Sequence, residues 1–147
     1  MELLHPKHWT PTSGFSNGVA AEGRQVYVAG QVGWNARQEI VDDDFVAQVE
    51  QALRNVVDIL AEAGARPEHL VRLTWYITDK REYLARSRDV GQAYRRVLGR
   101  HFPAMTLVQV VALVDDRAKV EIEATAIVPK SEARSPLPEG RSAKSDV

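Results

Sequence analysis

The 147-residue chain has no cysteine. That excludes a disulfide scaffold, thiolate zinc sites, iron–sulfur ligation and cysteine nucleophiles. It also lacks an excess of either charge: 19 Lys and Arg stand against 20 Asp and Glu, a net charge of −1. No global field therefore points to nucleic acid or an anionic membrane. Long apolar runs are missing too. The longest, residues 110–114, falls far short of the ~20 residues of a spanning helix. The opening MELLHPKHW has no apolar core of a secretory signal. These absences predict a cytoplasmic single-domain protein with room for one hydrophobic core and no membrane partner.

The composition divides the chain in three. Residues 130–147 hold one leucine, one valine, two prolines and no aromatics, too little apolar area to offset ordering entropy, and read as a disordered tail. Residues 1–13, with Pro6 and Pro11, read as an extended arm. The domain runs over residues 14–129.

Two helices are expected in it. Asp42, Asp43 and Asp44 offer an N-cap and negative charge at the positive end of a helix dipole. Behind them Phe45, Val49, Ala52, Leu53, Val56, Leu60 and Ala63 form one stripe at helical spacing, and Gly64 supplies a C-cap. Tyr83, Ser87, Val90, Tyr94 and Val97 mark the inner face of a second helix, which Gly91 weakens in its middle. Between the helices come strands. Residues 24–30 form one, joined to residues 17–21 by the turn Glu22-Gly23. Val71, Leu73, Trp75 and Ile77 alternate with polar neighbours, as do Val120, Ile122, Ala124, Ala126 and Val128. Residues 106–114, apolar on both faces, predict a central strand. The order ββ-α-β-α-ββ implies an α+β fold, a mixed sheet of about six strands with two helices on one face.

Two helices cover only one side. Alternation sends Val120, Ile122 and Ala124, with Val108, Val110 and Ala112, toward the helices. It leaves Glu121, Glu123, Met105, Leu107, Gln109 and Val111 on the bare side. A face so apolar is expected to bury itself against other copies of the chain, with Glu121 or Glu123 in a partly desolvated cleft.

Several segments carry a resemblance. Gly14-Phe15-Ser16-Asn17-Gly18, Val26-Tyr27-Val28-Ala29-Gly30-Gln31, Thr74-Trp75-Tyr76-Ile77-Thr78-Asp79, Pro103-Ala104-Met105-Thr106 and Val120-Glu121-Ile122-Glu123-Ala124 resemble, in order and spacing, motifs of the YjgF/RidA (enamine/imine deaminase, endoribonuclease L-PSP-like) family. The resemblance implies a chorismate-mutase-like fold and a homotrimer with clefts between subunits. It implies hydrolysis of small imines without a cofactor, an arginine gripping the substrate carboxylate and a glutamate holding the attacking water. Carried over, the glutamate is Glu121, the backbone groups are those of Gly30 and Leu107, and Phe15 gives an aromatic wall.

The sequence departs from that pattern at three positions. Met105 stands where the family has its substrate-binding arginine, Phe15 where it has a tyrosine, and Gly91 where it often has an asparagine. A thioether cannot neutralise a carboxylate, which argues against 2-imino-acid deamination. It favours a neutral or differently charged small metabolite against Met105, Leu107, Phe15 and Trp34. The reading is a deaminase-type hydrolase of an imine, enamine or amide. The alternative is a non-catalytic trimer serving as a small-ligand sensor or partner-binding module, and RNA binding is a weaker one.

Other candidates carry less. His5 and His8 lack a third ligand for a metal. His101 reads as a loop residue, and Ser16 has no histidine partner at recognisable spacing for a triad. Gly30-Gln31-Val32-Gly33 is followed by no helix that would cradle phosphate. The basic side of the second helix (Lys80, Arg81, Arg86, Arg88, Arg95, Arg96, Arg100) has no interleaved aromatics, so it reads as a solvated face rather than a nucleic-acid track.

Overall fold

In the computed structural model, which describes residues 1–132, the first helix, α1 (Phe45–Glu62), starts where the aspartates place it. Asp44 is the N-cap, its carboxylate accepting from the Ala47 N–H at 3.0 Å. Arg86 donates to the same carboxylate at 2.7 Å and, with the cap bond, holds its pKa below the ordinary aspartate value. The helix ends at Ala63, and Gly64 turns the chain at φ +67°, a conformation that costs a residue with a Cβ about 1–2 kcal/mol. The predicted stripe is buried: Val49, Ala52, Leu53, Val56 and Leu60 have no exposed surface, each large side chain contributing about 1.5–3 kcal/mol. The second helical region is split. A short α2 (Lys80–Ala85) breaks at Arg86 and resumes as α3 (Ser87–Leu98), which buries Val90, Ala93, Tyr94 and Leu98 against α1.

The strands are β1 (Glu2–Leu4), β2 (Gly18–Ala20), β3 (Arg24–Val32), β4 (Leu70–Ile77), β5 (Ala104–Gln109) and β6 (Val120–Val128). Four form the main sheet in the order β3-β6-β4-β5, with β4 and β5 parallel and the rest antiparallel. Both helical layers lie on one face. There Leu73, Trp75 and Ile77 of β4 sit opposite Ala124, Ile122 and Val120 of β6, all buried.

Three expectations need correction. Residues 17–21 do not pair with 24–30 as a hairpin: β2 pairs with β1, so residues 2–4 of the arm lie in a small sheet of their own. Residues 106–114 are not a central strand. The strand is the shorter β5, at the edge, and the chain leaves it after Gln109 with Val111 and Val114 fully exposed. The faces of β5 are also reversed. Its register against β4 sets Met105 beside Leu73 and Leu107 beside Trp75, so both pack on the helix-side core, while Val108 is exposed. A run apolar on both faces does not encode its own parity; the neighbouring strand decides it. The bare face is consequently more polar than the sequence suggests. Of the expected tail, Glu132 is fastened: its carboxylate accepts from buried His69 Nε2 at 2.5 Å and from Arg66 at 3.1 Å. Residues 133–147 lie outside the described part.

Candidate functional site

The bare face of the sheet is organised around a bulge. β3 and β6 pair in one register up to Val28–Ala124 and in a register one residue longer from Gln31–Ile122 onward. The surplus residue places Gly30 directly under the Glu121 side chain. A Cβ at position 30 would collide with the Glu121 carboxyl group, so glycine is what lets carboxylate and backbone meet. The far end of β3 is locked from the helix side. Asn55 of α1 donates to the carbonyls of Val32 (3.2 Å) and Trp34 (2.9 Å). Gln48, wholly buried, donates to the carbonyls of Asp42 and Arg117 and accepts from the Lys119 N–H at 2.8 Å. Gly33 lies against the Gln48 backbone, where an added Cβ would be 2.7 Å from its Cα. That packing explains the second glycine of the 30–33 segment. Trp34 packs in a separate small cluster with Val32, Ile40 and Ala118, away from the expected ligand wall.

Glu121 is half-buried and lies across from Tyr76. The Tyr76 hydroxyl donates to Glu123 at 3.1 Å, and that carboxylate holds the phenol's pKa above its ordinary value. Beside them a hollow of about 510 Å³ is bordered by Tyr27, Arg72, Thr74, Glu123 and Thr125. Arg72 is thus a cation on the same face as the two glutamates, and its signal in the sequence is the alternation of β4, which sends position 72 to the side opposite buried Leu73.

Met105 lies elsewhere. It is on the helix side, in a cavity of about 290 Å³ closed by α3 and lined also by Gly14, Trp75, Tyr83, Tyr94 and Phe102. Trp75, Tyr94 and Phe102 form a stacked series, with ring centroids 6.5 and 5.4 Å apart. The loop carrying Gly14 and the exposed Phe15 is pinned there by Ser16, whose N–H donates to Pro103 O at 3.1 Å and whose hydroxyl donates to Phe102 O at 2.6 Å. That is a structural use of the Ser16 hydroxyl. The sequence-derived site is therefore divided: Glu121 and Gly30 meet on one face, and Met105 and Leu107 sit on the other, with the Phe15 loop beside Met105. A single copy does not bring them together.

The remaining candidates have local roles. His101 bonds the Leu70 carbonyl at 2.7 Å from its loop, and His5 bonds Trp9 O and Asn17 at the arm. Among the described residues no group of three His, Asp or Glu is placed to hold a metal ion, and no helix is long and apolar enough to cross a membrane.

A four-stranded mixed sheet with α1 and α3 on one face, and a carboxylate seated over a bulge glycine on the other, defines a small α+β protein of the YjgF/RidA fold. The Endoribonuclease L-PSP family model matches residues 6–128, and the chain belongs to that YjgF/RidA family. It is 32% identical over 126 residues to a RutC family protein of Aquifex aeolicus, covering 86% of this chain and 98% of the relative. It is 32% identical over 108 residues to the 2-iminobutanoate/2-iminopropanoate deaminase of Escherichia coli, covering 71% and 80%. Among solved structures, the Rid family protein YyfB of Yersinia pestis superposes with a TM-score of 0.77 at 34% identity, covering 86% of this chain and 98% of that one.

Proposed function

We propose that this chain is a cofactor-independent, deaminase-type hydrolase of a small imine- or enamine-like metabolite, and that its site is completed between subunits of a homotrimer. The observation that carries the reading is the Glu121 carboxylate held over the Gly30 backbone. Glu121 takes the proton of a water attacking the electrophilic carbon, a general-base contribution of typically 10²–10⁴-fold, while the backbone at Gly30 orients the substrate. Phe15 and Met105 of a neighbouring subunit form the apolar wall, and the backbone at Leu107 of that subunit gives a second orienting contact. Association follows from the division of the site: one chain cannot present both halves. Exposed Tyr27, Val108, Val111 and Val114 offer apolar surface for it. A relative named for deamination of 2-iminobutanoate and 2-iminopropanoate supports the chemistry.

The test is ammonia release from freshly generated imines by the parent chain, Glu121→Gln and Met105→Arg. The reading requires activity in the parent that drops at least about 100-fold in Glu121→Gln, and sedimentation as a trimer. The second reading, a non-catalytic ligand-binding trimer, is favoured by Met105, which carries no charge for a carboxylate. Tight metabolite binding with no ammonia release from the parent or either variant would select it.

A further inference from the structure

The four strands of the main sheet hold two cations, Arg24 and Arg72, and two acids, Glu121 and Glu123. Arg24 lies on the helix side, where it donates to the carbonyl of Ala63 at the end of α1. Arg72 is alone on the bare face with the two glutamates. Elsewhere the arginines find carboxylates: Arg66 holds Glu68 at 2.8 Å, Arg86 holds Asp44 at 2.7 Å and Arg96 holds Glu50 at 2.8 Å. Arg72 makes no ion pair among the described residues.

The register shows why its own acids do not take it. Across to β6, Arg72 pairs with Thr125, Thr74 with Glu123 and Tyr76 with Glu121. Glu123 therefore stands one diagonal step from both Arg72 and Tyr76, a distance that long side chains span. It accepts from the Tyr76 hydroxyl at 3.1 Å. The carboxylate is thus engaged by one diagonal neighbour, while the hollow of about 510 Å³ opens beside the other, bordered by Arg72, Tyr27 and Thr125. In a single chain Arg72 and Glu123 are both exposed, and water serves them. Closing this face against an apolar surface would strand a guanidinium, which cannot shed its charge.

We infer that the hollow receives a charged side chain from another copy of this chain, with Arg72 in one copy pairing with Glu123 in the next. The inference rests on the proposed reading in taking this face as a contact between copies, and it names the pair that fixes how they meet. The charge pattern selects the occupant. A face with one cation and a carboxylate beside it complements a second copy of itself, whereas an acidic or a basic foreign surface would match one charge and repel the other. By engaging Glu123 away from the Arg72 of its own chain, Tyr76 leaves both groups available across the contact. The pairing also leaves Glu121 without a cation. That suits a general base, because a carboxylate paired with a guanidinium gives up its basicity.

The test is sedimentation of the full chain over a dilution series, for the parent, Arg72→Glu, Glu123→Arg and the double reversal. Each single reversal sets like charges against each other and should raise the dissociation constant at least about 100-fold, while the double should return to within about 10-fold of the parent. Far-UV circular dichroism checks that each variant is folded. Where a reversal does not fold, Arg72→Met and Glu123→Met replace the pair: each alone strands a charge, and the two together should associate more tightly than either. Single reversals that leave association unchanged, a double no tighter than the singles, or a parent that sediments as one chain at micromolar concentration overturns the inference. Turnover is read separately. Rescue by the double, with no ammonia released from imines by the parent, upholds this inference and refutes the deaminase reading. Ammonia release by an assembled parent whose association ignores both reversals does the opposite.

Discussion

Along β6 the two faces of the sheet can be compared one residue at a time. Val120, Ile122, Ala124, Ala126 and Val128 point into the helix-side core and are buried, whereas Glu121, Glu123, Thr125 and Ile127 alternate to the other side. One strand thus serves as half of a core and as a mount for carboxylates. The comparison teaches where precision comes from. Glu121 needs no elaborate support of its own, because the backbone beneath it is fixed by packing on the opposite surface.

The largest expected effect that would break this comparison is a pair of substitutions at adjacent positions. Ile122→Ala should lose about 2–5 kcal/mol of stability in urea unfolding, and Glu123→Gln should stay within about 0.5 kcal/mol. Similar losses would show that the faces are not energetically distinct. Next comes the polar anchor on the buried side. Gln48→Leu removes three hydrogen bonds and strands their backbone partners, and should cost about 1–3 kcal/mol. Smaller again is Asp44→Ala, at about 1 kcal/mol for the cap.

The Asp44 substitution also has a pH signature. In the folded chain the Asp44 pKa is depressed, first by the Arg86 hydrogen bond and then by the Ala47 N–H, and that of Glu50 is depressed first by Arg96. Their stabilisation is complete above the unfolded-state values near pH 4 and is lost as pH falls through the lower folded values. The urea midpoint should therefore hold from pH 7 to about pH 5 and decline below about pH 4, less steeply in Asp44→Ala. The smallest effect on the fold is expected from Tyr27→Ser on the bare face, within about 0.5 kcal/mol. The same substitution should weaken self-association in sedimentation, and no change there would remove Tyr27 from the interface.

What could be read in advance followed the range of the interaction. The start of α1 at Asp44 and its end at Gly64 are local signals, and they were legible to within a residue. The faces of β4 and β6 were legible because apolar and polar residues alternate there. β5 was not, since Met105, Leu107 and Val108 are all apolar and only the register against Leu73 and Trp75 distinguishes them. The partner of β2 was misread because Glu22-Gly23 suggests a hairpin, while the true partner lies at residues 2–4. Glu121 and Gly30 were each named by a resemblance of motifs rather than by periodicity, and their contact across the bulge had no signal in the sequence.

The surplus residue of β3 has a mechanical corollary. A regular border strand can slide along its neighbour by two positions and keep its alternation, a common route to mispairing. In β3 the slip would bring a Cβ beneath Glu121 in place of the hydrogen of Gly30, and the carboxylate would have to swing off the backbone to make room. The bulge works as a detent, and the chain carries its own alignment mark on the border strand, at the place where a carboxylate has to be seated.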